Sequence, residues 1–439
     1  MSLLTPPKLV ASTGETYNCR IGGRQGAVGG GRESNLFRSA QWSPDGTCIL
    51  TSSEDNELRT WIVPADLLEP SESPKQLEPF SSIRTAEPVY AAAIYPYMQL
   101  STPSTCCFIA SSRDHPIQLY DMLTPTTRAS YPLIDPMTEK YHTPASLLFA
   151  PSNPNRFIAG ITSQISFFDI HRNGEGPVVA LKTIPTRRSV QTGHTMKGII
   201  SALAVCPGNS DGTGVLAAGT FGRQVGLYSA EGTGETIGVF GLGGGDGAGV
   251  TQLVWSQCER YLYIAERKSE VISVYDIRVA GEKVESFRGR RAGTNQRVGI
   301  DVAYALRGEV VGGGIDGKVR IWEAGHSRED SHIGTAHCEW HAHNDVVSSA
   351  VVHPGGAVLA TCSGSRKPEA LGEDEGEGEE GNGWDNSLKI WALSPLSHDQ
   401  EDTGDKEYNT ADRYDKEKDE TIGVAIGQKG TEDIVGTCI

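Results

Sequence analysis

Apolar and polar positions alternate with a period of two along Phe37–Ile62, in three short runs separated by turn residues. The first run, Phe37–Trp42, predicts a strand ending at Ser43-Pro44-Asp45-Gly46. Proline presets the turn dihedral, aspartate bonds its own backbone, and glycine accepts a positive φ. A second strand, Cys48–Ser52, a polar turn at Glu54–Asn56 and a third strand, Glu57–Ile62, follow, with Trp61 near the end. A meander of this size cannot bury both of its faces alone.

The same order of apolar strand, turn, small-residue strand, turn and aromatic-ended strand recurs six more times. The copies are Pro88–Asp121, Pro144–Asp169, Gly198–Tyr228, Gly249–Asp276, Val298–Trp322 and Val346–Trp391. Their closing aromatics are Trp61, Tyr120, Phe168, Tyr228, Tyr275, Trp322 and Trp391. The pattern predicts an all-β, seven-bladed WD40 β-propeller in which a fourth strand per blade comes from the weakly patterned stretch after each aromatic.

Length fits one large domain: seven blades need roughly 300 residues, and the chain has 439. The predicted layout is a Gly-rich arm at 1–35, a propeller at 36–394 and a charged, disordered tail at 395–439. Part of the arm, within Lys8–Ile21, is expected to supply the outer strand of the last blade and so remove an open edge. From Glu369 onward there are 20 Asp and Glu against 6 Lys and Arg, a balance of −14 out of −16. The remaining 368 residues are therefore close to neutral. The acidity sits in an insertion at 369–383, inside the seventh blade, and in the tail, both too polar to offset chain entropy.

No apolar run is long enough for a transmembrane helix, and the first residues lack the basic and apolar regions of a secretion signal. The nine cysteines are an odd number, several at apolar strand positions such as Cys48, Cys106, Cys206 and Cys362, as expected of buried reduced thiols.

Candidate chemistry is sparse. The Gly-Gly-Arg steps at 22–24 and 30–32 read as a linker, with flexible RNA contact as the alternative. Gly241–Gly249 resembles a phosphate loop by glycine count alone: it leads into a strand, so no helix dipole backs it. His337–His343 holds zinc-ligand residue types at cramped spacing without a CxxC pair, and His343 is expected to bond within its blade. No catalytic constellation, metal site or cofactor site stands out, so neither an enzyme nor a small-molecule substrate is expected.

Charge placement is more informative. Strand direction alternates across a blade, so the turn between strands two and three faces the same side as the link to the next blade. Those turns carry Arg113, Arg223, Arg267-Lys268 and Arg366-Lys367. The links add Lys197 and the basic run Ser286–Arg297, with Arg288, Arg290, Arg291, Asn295, Gln296 and Arg297. One face is thus expected to present guanidinium groups that suit phosphates. The plain alternative is ordinary surface charge, since Lys and Arg favour turns.

Several runs resemble a known family. Ser39–Leu68, Ile109–Asp121, Arg128–Asp135, Gly219–Tyr228, Thr294–Asp301 and Ala360–Glu377 are similar, in the same order, to segments of the telomerase Cajal body protein family of WD-repeat proteins. The chain looks like a fungal-type relative, with a short N-terminal extension and a tail of its own after Leu393. The resemblance implies an RNA-binding scaffold for small Cajal-body, telomerase or spliceosomal RNA that helps assemble or deliver ribonucleoproteins. It implies a nuclear protein, some of it cytoplasmic, with ribonucleoprotein proteins as partners. The resemblance also implies a tie to pre-mRNA splicing through relatives in lineages without obvious Cajal bodies, and a protein–protein platform without RNA contact is the second reading.

The acidic insertion springs from the basic side, where it is positioned to compete with RNA. Deleting Glu369–Gly383 is expected to tighten RNA binding at low salt. Equal affinities of the deleted and intact chains in 50 mM salt would discard that competition.

Overall fold

Antiparallel pairing gathers the apolar runs into seven sheets. The computed structural model describes residues 7–14, 35–151, 153–184, 195–206, 214–233, 236–245, 247–279, 281–303, 308–324, 332–366 and 385–393. Within each blade the strands, a to d, run from the axis outward, and the a strands of all seven blades line a central channel. In blade 1 the inner three are Phe37–Trp42, Cys48–Ser53 and Glu57–Ile62. The acidic insertion and the tail lie outside the described residues. No described helix is long and apolar enough to cross a membrane.

The d strands come from segments that the alternation left as spacers. They are Ser81–Arg84, Thr127–Tyr131, Val179–Lys182, Thr236–Gly241, Glu282–Arg288 and Cys338–His341 for blades 1 to 6. The basic run predicted as a loop from Ser286 therefore begins as strand: Ser286, Phe287 and Arg288 pair with Ser273, Ile272 and Val271. Strand His332–Thr335 pairs in parallel with the outer edge of that strand.

Blade 7 is closed by the other end of the chain. Lys8–Ser12 lies antiparallel to Leu388–Ala392, with Lys8 opposite Ala392 and Ser12 opposite Lys389. Its free edge is covered in parallel by Lys75–Gln76, and Ala11 is wholly buried between blades 7 and 1.

Packing explains the composition of the b strands. Cys48–Ser53, Cys107–Ser112 and Val358–Ser363 are buried along their whole length, yet they are built of Ala, Ser, Thr and Cys among a few larger residues. A b strand is sandwiched between neighbouring blades, so side-chain volume there sets the wedge angle. At Gly313 the limit is reached: a Cβ would lie 2.3 Å from the Val347 carbonyl of the next blade. All seven closing aromatics are buried. Indoles also tie blades together, Trp42 Nε1 donating to the Val351 carbonyl at 3.0 Å and Trp322 Nε1 to the Arg288 carbonyl at 2.9 Å.

His343 takes the intrablade role expected of it. Trp391 Nε1 donates to Thr361 Oγ1 at 2.9 Å, Thr361 Oγ1 lies 2.7 Å from His343 Nε2, and His343 Nδ1 faces Ser387 at 3.1 Å and Asp385 at 3.4 Å. A neutral imidazole protonated at Nδ1 satisfies every link. Burial lowers the pKa of His343, against the pull of Asp385. The chain runs from the c strand through the b strand to the entry of blade 7. Thr361→Val keeps the shape and removes the hydroxyl, leaving a buried indole N–H and a buried imidazole nitrogen unmatched. It should cost about 2–3 kcal/mol in urea unfolding, whereas an unchanged midpoint would show that the chain of bonds is not stabilising.

Candidate nucleic-acid interface

The antiparallel ladders put the b–c turns and the blade-to-blade links on one face of the ring, and the a–b and c–d turns on the other. Arg113, Arg223, Arg267, Lys268, Arg288, Arg290, Arg291, Asn295, Gln296, Arg297 and Arg366 all belong to segments of that first face. Lys367 lies outside the described residues.

Sharing a face does not make them equivalent. Arg290 is 1% exposed, and its guanidinium donates to the Glu266 carbonyl at 2.8 Å and the Val298 carbonyl at 2.6 Å. Burial pushes its pKa down to about 10, against the opposing pull of Glu266 and Glu270. Arg290 therefore pins the link between blades 5 and 6 and is not a contact residue. Arg223 forms a two-pronged pair with the buried carboxylate of Glu266, at 2.7 and 3.3 Å. Arg366 shares Glu54 with Arg38, at 2.7 Å on one side and 2.6 Å on the other. Gln296 spends its amide on the Gly364 carbonyl at 2.7 Å. Arg113 is 59% exposed beside Asp114, at 3.5 Å.

What remains is a sector. Among the described residues, no ion pair engages Lys197, Arg267, Lys268, Arg288, Arg291 or Arg297. They sit on the turns and links from blade 3 to blade 6. Two of them, Lys268 and Arg291, hold φ values of +54° and +52°, as the paired Arg223 does at +60°. Among the b–c turns, blade 2 places Asp114 at the left-handed position that Lys268 holds, and blades 1 and 6 place Asn56 and Gly317 where blade 4 has Arg223, residues for which that backbone is cheaper. The cations are thus kept at a conformational cost that shorter residues would avoid.

Arg297 stands at the mouth of the central channel, a cavity of about 1030 Å³. Its side chain is solvent-exposed, and the protein ringing it displaces part of its water, which lowers its pKa from the ordinary arginine value. Asp301, on the wall of the same channel, is pushed up to about 6 by burial, against the bonds it accepts from the Val302 and Val352 amides.

Beside the mouth a second cavity of about 410 Å³ is lined by Tyr90, Tyr141, Phe221, Arg267, Asn295 and Arg297. The Arg267 guanidinium lies 3.8 Å over the Phe221 ring, and its buried Nε has no hydrogen-bond partner. Tyr90 and Tyr141 are 51% and 39% exposed. None of these aromatics was singled out by charge reading. The signal was local: Tyr90 breaks the alternation of its strand, and Phe221 occupies a turn where a small polar residue is usual. Among the described residues no cluster of His, Cys, Asp and Glu is arranged to hold a metal ion.

Comparisons with known proteins agree with this architecture. The "WD domain, G-beta repeat" family model matches residues 30–61, which covers the first two strands of blade 1 and all but the last residue of the third. A fission-yeast (Schizosaccharomyces pombe) protein named guanine nucleotide-binding protein negative regulator 1 is 33% identical over 302 residues, covering 68% of this chain and 73% of the relative. The telomerase Cajal body protein 1 of Rattus norvegicus is 30% identical over 355 residues, covering 79% of this chain. The chain belongs to the telomerase Cajal body protein family of WD-repeat proteins. The human telomerase Cajal body protein 1 is 29% identical over 351 residues. The chain spans less than two thirds of those mammalian relatives, 63% of the rat protein and 60% of the human one.

For this family member the geometry separates two neighbouring arginines. Arg297→Gln removes a charge that no carboxylate compensates, so the melting temperature should hold or rise by a degree or two. Arg290→Gln unpins two buried carbonyls and should lower stability by about 2–3 kcal/mol. Equal effects of the two substitutions on thermal unfolding would contradict the assignment.

Proposed function

We propose that this non-enzymatic WD-repeat scaffold binds a small nuclear RNA of the Cajal-body, telomerase or spliceosomal kind across the blade 3–6 sector, and serves ribonucleoprotein assembly in the nucleus. The observation that carries the reading is the run of cations left without carboxylate partners on one face of a near-neutral ring. Phosphates supply the missing counter-charge, and guanidinium groups accept them in a two-pronged geometry. Added support comes from the names of the relatives, two of which are telomerase Cajal body proteins.

The second reading, a protein–protein platform, draws on the neutralised part of the face. Arg223 and Arg366 already have carboxylates, and Met137 is exposed at the tip of the link between blades 2 and 3. A folded partner, rather than a polyanion, would suit those positions.

Salt dependence distinguishes the two. Each phosphate contact to a single strand contributes about 0.7 to the slope of log affinity against log salt. Reversing Lys268, Arg288 and Arg297 to Glu should therefore flatten the slope by about 2 and abolish crosslinking to small nuclear RNA in cells, with the fold intact by circular dichroism. Unchanged slope and crosslinking would leave the protein platform as the working function.

A further inference from the structure

The cavity beside the channel mouth combines two kinds of surface that seldom meet without a ligand. One is flat and apolar: the exposed ring of Tyr90, the exposed ring of Tyr141, and the Phe221 ring capped by the Arg267 guanidinium. The other is cationic and unsatisfied: Arg267, whose buried Nε has no partner, and Arg297, which no ion pair or hydrogen bond engages among the described residues. The Asn295 side chain, exposed at the rim, adds an amide that can both donate and accept.

The elements that build the pocket are separate in sequence. Tyr90 comes from the a strand of blade 2, Tyr141 from the link to blade 3, Phe221 and Arg267 from the b–c turns of blades 4 and 5, and Asn295 and Arg297 from the link between blades 5 and 6. A local sequence preference does not account for so many rings and guanidiniums converging. The volume, about 410 Å³, falls within the ~300–1,000 Å³ usual for small-ligand sites, and no base-paired duplex enters a recess of that size.

We infer that this pocket takes the base of a single unpaired RNA nucleotide, stacked among Tyr90, Tyr141 and the Arg267–Phe221 pair, with its phosphate on Arg297 and Asn295 available to its polar edge. The inference rests on the RNA reading and adds a base-dependent term to a face otherwise read through phosphates. Aromatic and guanidinium planes stack on any base, whereas a phosphorylated peptide would use the cations and leave the flat surfaces unmatched.

The test uses the full chain and two single-stranded octamers of equal charge. One carries all its bases; the other is a sugar-phosphate chain without bases. The base-bearing octamer should bind about tenfold or more tightly, and Tyr90→Ala with Tyr141→Ala should reduce that advantage to within about twofold while leaving the salt slope unchanged. Both rings lie at the surface, 51% and 39% exposed, so the variant is expected to fold; Tyr141→Phe, which keeps the ring, should retain the preference. Equal, salt-sensitive binding of the two octamers would overturn the pocket and leave the cationic sector standing. Binding of neither would overturn both. Displacement of the octamer by a phosphopeptide as effectively as by RNA would make the recess a general anion site and also overturn the assignment.

Discussion

The structure depends on one strand pairing. Lys8–Ser12 joins Leu388–Ala392 across almost the whole described chain, and without it the seventh blade has a bare outer edge and the ring has a seam. Closure is what turns seven marginal meanders into a single core, because each b strand needs a neighbour on both sides. It also fixes the common face. Turns and links from blades 3 to 6 point the same way only because every blade keeps its place in a closed circle. The chain reinforces the seam with Lys75–Gln76 on the outside and with Ser348 Oγ donating to the Phe37 carbonyl at 2.6 Å on the inside.

Against that rigid frame the exposed cations are poorly rewarded. Lys268 and Arg291 sit in a backbone region that suits glycine or asparagine, and Arg297, though exposed, keeps its charge where the surrounding protein displaces part of its water. In the same face, charges that serve the fold look different: Arg59 is tied to Asp55 and Glu57, and Arg223 to Glu266. The contrast is the physical basis for separating structural from functional charge. Groups that cost stability in the free protein and have no internal partner are the ones the proposed RNA contact would repay.

Much of the architecture was legible beforehand. The period-two runs with their turn residues marked the inner three strands of every blade, since the b and c strands are buried nearly throughout and the a strands keep apolar residues on their inward-packed face. The outer strands were not legible. Ser81–Arg84 and Val179–Lys182 are only partly buried, so alternation there is weak, and Cys338–His341 lay inside what looked like a histidine cluster. The face of the cations followed from topology, but their roles did not. Arg290 and Arg291 are adjacent, yet one is sealed under the link and the other is exposed. That difference is set by the local left-handed turn and by carbonyls of Glu266 and Val298, none of which composition reveals. The pairing of Arg223 with a carboxylate 43 positions away is likewise a tertiary fact.

Ultraviolet crosslinking of bound RNA, followed by mass spectrometric mapping of the modified peptides, addresses the central claim most directly. The account predicts adducts on peptides containing Tyr141, Phe221, Arg267–Lys268 and Arg288–Arg297, all from one face. Adducts concentrated on the opposite face, at Tyr97, Arg156 or Arg260, would contradict it.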